Sequence, residues 1–171
     1  MDLANMIIES GAIMFGDFTL TSGKKSNYYI NIKKAITKPE ILKEIAIEMS
    51  KKIKDEYIVG IELGSVPIAV AVSLEIMREY VIVRKEQKSH GTGSLIEGEI
   101  KKNSKYVVIE DVITTGSSVL RAVNAIRGEG GIVERVICVV DREEGGEENL
   151  KNYNVKLDPL LKVSEILKRK F

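Results

Sequence analysis

The stretch Val107-Val108-Ile109-Glu110-Asp111-Val112-Ile113-Thr114-Thr115-Gly116-Ser117-Ser118 concentrates the residue types that could do chemistry in this chain. A β-branched run leads into two adjacent acids, and a short Thr/Gly/Ser turn then opens a helix. Backbone N–H groups and hydroxyls from Thr114 to Ser118, at a helix N-terminus, suit a phosphate. Glu110 and Asp111 would repel that phosphate, so their place is beside neutral hydroxyls, such as those of a ribose, from which they accept hydrogen bonds. The two halves together imply a phosphorylated sugar. The turn lacks the Lys of a P-loop, and Gly116 alone cannot make the three-glycine dinucleotide fingerprint.

Four further groupings carry usable side chains. Arg84-Lys85-Glu86-Gln87-Lys88-Ser89-His90-Gly91-Thr92-Gly93 places several cations and the chain's one histidine in a polar loop closed by glycines. Fixed cations favour a leaving group that develops negative charge, and a loop that closes excludes water. Asp141-Arg142-Glu143-Glu144 follows a strand, and its guanidinium can grip a carboxylate with two parallel hydrogen bonds. Phe18 to Tyr29 combines a Ser-Gly turn, Lys24, Lys25 and the paired Tyr28 and Tyr29. Glu62-Leu63-Gly64-Ser65-Val66-Pro67 joins a strand to a helix; Gly64 permits close approach to phosphate, and Pro67 suits a first helical turn. Each also has a plainer reading, as a solvated loop, a surface ion pair, a hairpin or a capped turn.

The elements that must position these residues alternate along the chain. Helical periodicity predicts helices over Leu3 to Ile13, Pro39 to about Lys54, Val66 to Arg78, Ser117 to Gly128 and Val163 to Lys170. Strands are expected at Tyr28 to Ile32, Tyr57 to Ile61, Tyr80 to Arg84, Tyr106 to Ile109 and Arg135 to Val140. Repeated strand–helix–strand spacing gives an α/β fold, with a mostly parallel central sheet flanked by helices. Ligands of such sheets bind at the carboxyl ends of the strands, where all the loops above fall. We read residues 1–171 as one domain, with 1–35 as a small N-terminal lobe that breaks the alternation.

Bulk properties exclude several classes. The chain has 171 residues, 44% of them hydrophobic and 30% charged, with a formal net charge of +1. That is a globular composition without the field of a nucleic-acid binder, and no apolar stretch approaches a membrane span. The N-terminus does not read as a signal peptide. Cys138, in an apolar strand, reads as a small buried hydrophobe in a reducing, cytoplasmic setting.

The 107–118 stretch resembles the phosphoribosyl-diphosphate (PRPP) binding motif of the type I phosphoribosyltransferases. Arg84-Lys85-Glu86-x-Lys88-x-His90-Gly91 resembles the mobile catalytic loop of the orotate phosphoribosyltransferases among them, and Phe18 to Tyr29 resembles their orotate-recognition segment. Many members carry Lys in place of Thr21 and Pro in place of Asn27, so Lys24 or Lys25 is expected to supply the missing cation. At the loop after Ile61 the family often has paired glycines, one of which is Ser65 here.

The resemblance implies transfer of the 5-phosphoribosyl group of PRPP to orotate, giving orotidine 5′-monophosphate and diphosphate, with Mg2+ held mainly by PRPP and water. Lys85, Lys88, His90 and Asp111 would be catalytic. PRPP would meet Arg84, Lys85, Lys88, His90, Glu110, Asp111, Val112, Ile113, Thr114, Thr115, Gly116, Ser117 and Ser118, with Gly64 and Ser65 at its diphosphate. Orotate would meet Thr114, Arg142, Lys24, Tyr28 and Tyr29. A homodimer is implied, the loop of each subunit reaching into its neighbour's site. A transferase for another base, or a PRPP-sensing regulator, stays open at this stage.

Overall fold

The computed structural model describes residues 2–19, 23, 25–86 and 94–169. Helix α1 (Leu3–Glu9) is capped by Asp2, whose side chain accepts a hydrogen bond from the Asn5 N–H. It stops well short of the expected Ile13 because Gly11 turns left-handed at φ 73° and Ser10 bonds to Ile7 and Ala12 instead. Ile13 then opens β1 (Ile13–Thr19), which pairs antiparallel with β2 (Lys25–Ile30) in a separate two-stranded sheet. The second strand thus begins earlier and ends earlier than its aromatic run suggests. Asn31 bonds back to Ala12, and Ile32 enters a short helix, α2 (Ile32–Ile36), with Ile32, Ala35 and Ile36 buried.

Helix α3 (Pro39–Ser50) takes Pro39 into its first turn, where a missing N–H costs nothing, and buries Ile41, Ile45, Ala46 and Met49 on one face. The main sheet follows: β3 (Tyr57–Ile61), helix α4 (Val66–Ile76), β4 (Tyr80–Val83), β5 (Ile96–Glu97), β6 (Lys105–Ile113), helix α5 (Ser117–Gly128), β7 (Ile132–Asp141), helix α6 (Gly146–Lys151), β8 (Lys156–Lys162) and helix α7 (Val163–Lys168). Its strand order is β5-β4-β3-β6-β7-β8, parallel except for the edge pairing of β5 with β4. Sequence periodicity did not indicate β5, α6 or β8. Pro159 interrupts the pattern of β8, and an edge strand is where a sheet tolerates proline.

From β3 the chain winds outward through α4 to β4; from β6 it winds the opposite way through α5 to β7. Right-handed crossovers therefore put α4 and α5 on opposite faces of the sheet. Alternate strand residues divide accordingly. Ile58, Val107, Ile109 and Ile137 join the core under α1, α3 and α4, while Val59, Val108, Val136 and Cys138 join that under α5. The winding reverses between β3 and β6, so the loops after these two strands part there and leave a crevice. Among the described residues, no helix is long and apolar enough to cross a membrane.

The opposite end of the sheet is held by ions. Arg135 donates to Glu56 at 3.1 Å through Nη2 and lies 3.6 Å from Asp158, which Lys52 reaches at 2.7 Å. Burial pushes the Glu56 carboxyl up, but the Arg135 guanidinium and the Lys54 N–H outweigh it and hold the group below its ordinary value. A lowered carboxyl stabilises the fold above its unfolded pKa of about 4.3, and that contribution fades as pH falls through the folded value. Arg135→Met should therefore lower the melting temperature at pH 7, and the gap to wild type should close as pH approaches 3. Thermal denaturation across that range measures it; a constant gap would assign the loss to packing alone.

Candidate active site

The crevice floor is β6. Glu110 and Asp111 lie within this strand and not beyond its end, because hydrogen bonding to β7 continues through Glu110↔Cys138 to Ile113↔Asp141. Both acids are buried. The Asp111 N–H donates to Glu110 Oε1 at 3.0 Å and the Val112 N–H to Asp111 Oδ1 at 2.9 Å. Burial, reinforced by the neighbouring Asp111 carboxyl, pushes Glu110 well above the usual carboxylate range. Asp111 Oδ2 faces the Lys33 ammonium of α2 at 3.3 Å.

One wall is the loop from β3 to α4. Ser65 is fully buried, and its hydroxyl accepts from the Ile61 N–H at 2.6 Å and donates to the Ile61 carbonyl at 3.0 Å. The Ser65 side chain thus closes the loop on itself, which leaves backbone groups as what this position offers a ligand. Gly64 sits against the acids: a Cβ there would stand 2.5 Å from Asp111 Oδ2. The peptide between Glu62 and Leu63 is cis. Glu62 accepts the Lys85 N–H at 2.8 Å, which ties the start of the cationic loop to this wall. Arg84 there pairs with Glu97 of β5 at 3.1 Å.

The other wall is the Thr114–Ser118 turn at the head of α5. Gly116 is left-handed, with φ 82°, and a Cβ there would press on Leu150 of α6 at 3.1 Å. A Cβ on Gly146 would stand 2.7 Å from the Thr114 carbonyl oxygen, and the Asn149 amide donates to the Thr115 carbonyl at 2.9 Å. Helix α6 is therefore a brace for this turn. The Thr115 and Ser117 hydroxyls lie 3.0 Å apart in one hydrogen bond. Val112 and Ile113 pack their side chains on the two cores.

Arg142 follows β7, its N–H bonded to the Ile113 carbonyl at 2.9 Å. Its guanidinium pairs with Glu144 at 2.9 Å and lies 5.5 Å from the centre of the Tyr28 ring. Its Nε is buried without a hydrogen-bond partner among the described residues. The hairpin thus reaches the crevice through Tyr28, while Tyr29 turns towards Phe18, ring centres 5.9 Å apart. Thr21, Lys24, Lys88 and His90 lie outside the described residues. Lys33 escaped the sequence reading: two adjacent lysines opening a short helix look like any solvated pair, and only the fold brings one to Asp111.

Residues 32–163 match the family model of the phosphoribosyl transferase domain. The chain is 55% identical to the orotate phosphoribosyltransferase of Methanocaldococcus jannaschii, over 96% of this chain and 94% of that protein. The chain belongs to the orotate phosphoribosyltransferase family. The crystal structure of the orotate phosphoribosyltransferase from Aeropyrum pernix superposes with a TM-score of 0.88 at 30% identity, covering 99% of this chain and 98% of that one. In the UMP synthase of Leishmania donovani the same fold matches 98% of this chain but only 38% of the longer one, with a TM-score of 0.85 at 31% identity. An orotate phosphoribosyltransferase is a transferase, with the type I fold seen here: a mostly parallel six-stranded sheet, helices on both faces, and a small antiparallel hairpin.

Ser65→Ala gives a check on the loop geometry. It leaves the buried Ile61 N–H and carbonyl without the hydroxyl that serves both, an expected loss of about 1–3 kcal/mol. Urea denaturation should show a lower midpoint with an unchanged slope. An unchanged midpoint would mean that water replaces the hydroxyl.

Proposed function

We propose that this enzyme transfers the 5-phosphoribosyl group of PRPP to orotate, in the route to UMP. The observation that carries the reading is the convergence, at one switch point of the sheet, of a buried acid pair, a hydroxyl-rich turn at a helix N-terminus and a guanidinium over a tyrosine ring. Each suits a different part of one reaction. Asp111 and Glu110 accept from the ribose hydroxyls and favour the positive charge that develops at the anomeric carbon. The Thr114–Ser118 turn holds the 5′-phosphate. Backbone groups at Gly64 and Ser65 face the diphosphate. Arg142 meets the orotate carboxylate, with Tyr28 against its guanidinium and Thr114, Lys24 and Tyr29 around the base.

In the step itself the bond from the anomeric carbon to the diphosphate oxygen breaks, and its electrons leave with diphosphate. The ring nitrogen of orotate supplies the pair for the new bond and gives up its proton. No enzyme nucleophile is needed. Arg84, Lys85, Lys88 and His90 balance the charge on the departing diphosphate, with His90 or a lysine to protonate it.

Mg2+ belongs to the same reading. The site offers two carboxylates, one already paired with Lys33, a donor set that fits an ion taking most of its oxygens from PRPP and water. When bound, Mg2+ neutralises diphosphate charge.

A homodimer with the 84–93 loop shared between subunits is supported by α4. Pro67 and Leu74 on its outer side, with Leu63 just before the helix and Met77 just after it, are exposed apolar residues. A cytoplasmic setting is supported by the single cysteine, Cys138, which is free and buried, its thiol pushed well up by burial.

The first test is the ultraviolet loss of orotate on adding protein, PRPP and Mg2+, with uracil, hypoxanthine and adenine in parallel. Loss of orotate alone, abolished by chelation, is expected; turnover of another base instead would discard the assignment of Arg142. The shared loop has its own test. Lys88→Ala and Arg142→Ala proteins, each nearly inactive, are mixed in equal amounts and allowed to exchange subunits. Half the dimers are then hybrids carrying one intact site, so activity should recover to about a quarter of wild type. No recovery after proven exchange would mean self-contained subunits.

A further inference from the structure

Three segments distant in sequence meet at one carboxylate oxygen. Lys33 Nζ stands 3.3 Å from Asp111 Oδ2, and a Cβ on Gly64 would lie 2.5 Å from that oxygen and 2.9 Å from Lys33 Cε. The lysine stem therefore lies along the glycine turn while its charge rests on the acid. The helix that carries it is fixed: Ile32, Ala35 and Ile36 are buried, the Asn31 N–H donates to the Ala12 carbonyl at 2.7 Å, and Lys34 reaches the other way, to the Gly11 carbonyl at 3.4 Å. Helix α2 also follows directly on β2, whose Tyr28 lies against Arg142. One short connection thus links the base end of the crevice to its sugar end.

We propose that Lys33 is a positioning residue for the sugar: its ammonium fixes the Asp111 carboxylate against the Gly64 turn, so that the acid is aimed at a ribose hydroxyl before the ligand arrives. The proposal rests on the ribose-phosphate reading above. Its physical basis is the neighbouring Glu110. Two buried carboxyls side by side disfavour each other's charge, and a cation at one of them restores the acceptor that a hydroxyl needs. Among the described residues, Lys33 from α2 is the cation paired with Asp111.

The experiment is calorimetric titration of the protein with PRPP and Mg2+ at neutral pH, for wild type, Lys33→Met, Lys33→Arg and Asp111→Asn. Lys33→Met should weaken binding about tenfold, the order expected for one lost charge interaction. In steady state KM for PRPP should rise more than kcat falls. Lys33→Arg should restore binding, and Lys33→Met should add nothing in an Asp111→Asn background. If wild type binds PRPP and Lys33→Met matches it, the proposal is wrong and the ribose-phosphate reading stands. If Lys33→Met binds weakly, Lys33→Arg does not rescue and the loss persists in the Asp111→Asn background, Lys33 serves only to pack α2 and the proposal is overturned. If wild type binds no PRPP, the reading itself fails and the proposal with it.

Discussion

Two carboxyl groups, adjacent in sequence and shut from water inside one strand, set the terms for the centre of this molecule. A pair of charges so placed cannot both ionise freely, since each is desolvated and repelled by the other. The strand cannot release them either, because β6 is bonded on both sides, to β3 at Ile109↔Gly60 and to β7 at Glu110↔Cys138. The balance has to come from neighbours. Two backbone N–H groups turn towards the carboxyls, Glu110 is driven towards its neutral form, and α2 brings a lysine to Asp111. The glycine at position 64 is the steric counterpart of that arrangement, since any side chain there would occupy the space of the Asp111 oxygen.

Much of this could be read from the sequence, and for identifiable reasons. Glu110, Asp111 and the Thr114–Ser118 turn form one continuous segment, and a site built from neighbours in sequence shows itself without tertiary information. The parallel core strands announce themselves as β-branched runs because they are buried on both faces. Pro39 and Pro67 mark the starts of α3 and α4, as proline's fixed geometry predicts.

What stayed hidden depends on contact at a distance. Lys33 reaches Asp111 only through the packing of α2, and nothing in Ile32-Lys33-Lys34-Ala35 distinguishes the lysine that addresses the acid from the one that tethers the turn at Gly11. Helix α6 is polar along most of its length; its role lies in Leu150 and Asn149, which brace the Gly116 turn. Ser65 looked like a substitute for a phosphate-binding glycine, yet its hydroxyl turns inward to complete the Ile61 backbone. In each case the residue type is legible and its direction is not, because direction is a property of the fold.

The two ends of the described chain also meet. Arg169 Nη1 lies 2.7 Å from both carboxylate oxygens of Asp2, so α1 and α7 are latched at the surface. An exposed pair of this kind adds little stability. Its consequence is architectural: a unit that begins and ends at one point can be set into a longer polypeptide like a bead, through two neighbouring connectors. Among the described residues, none of the hydrogen bonds of Glu110, Asp111 or Ser65 involves those ends. Extension there would lengthen the molecule without stretching the crevice.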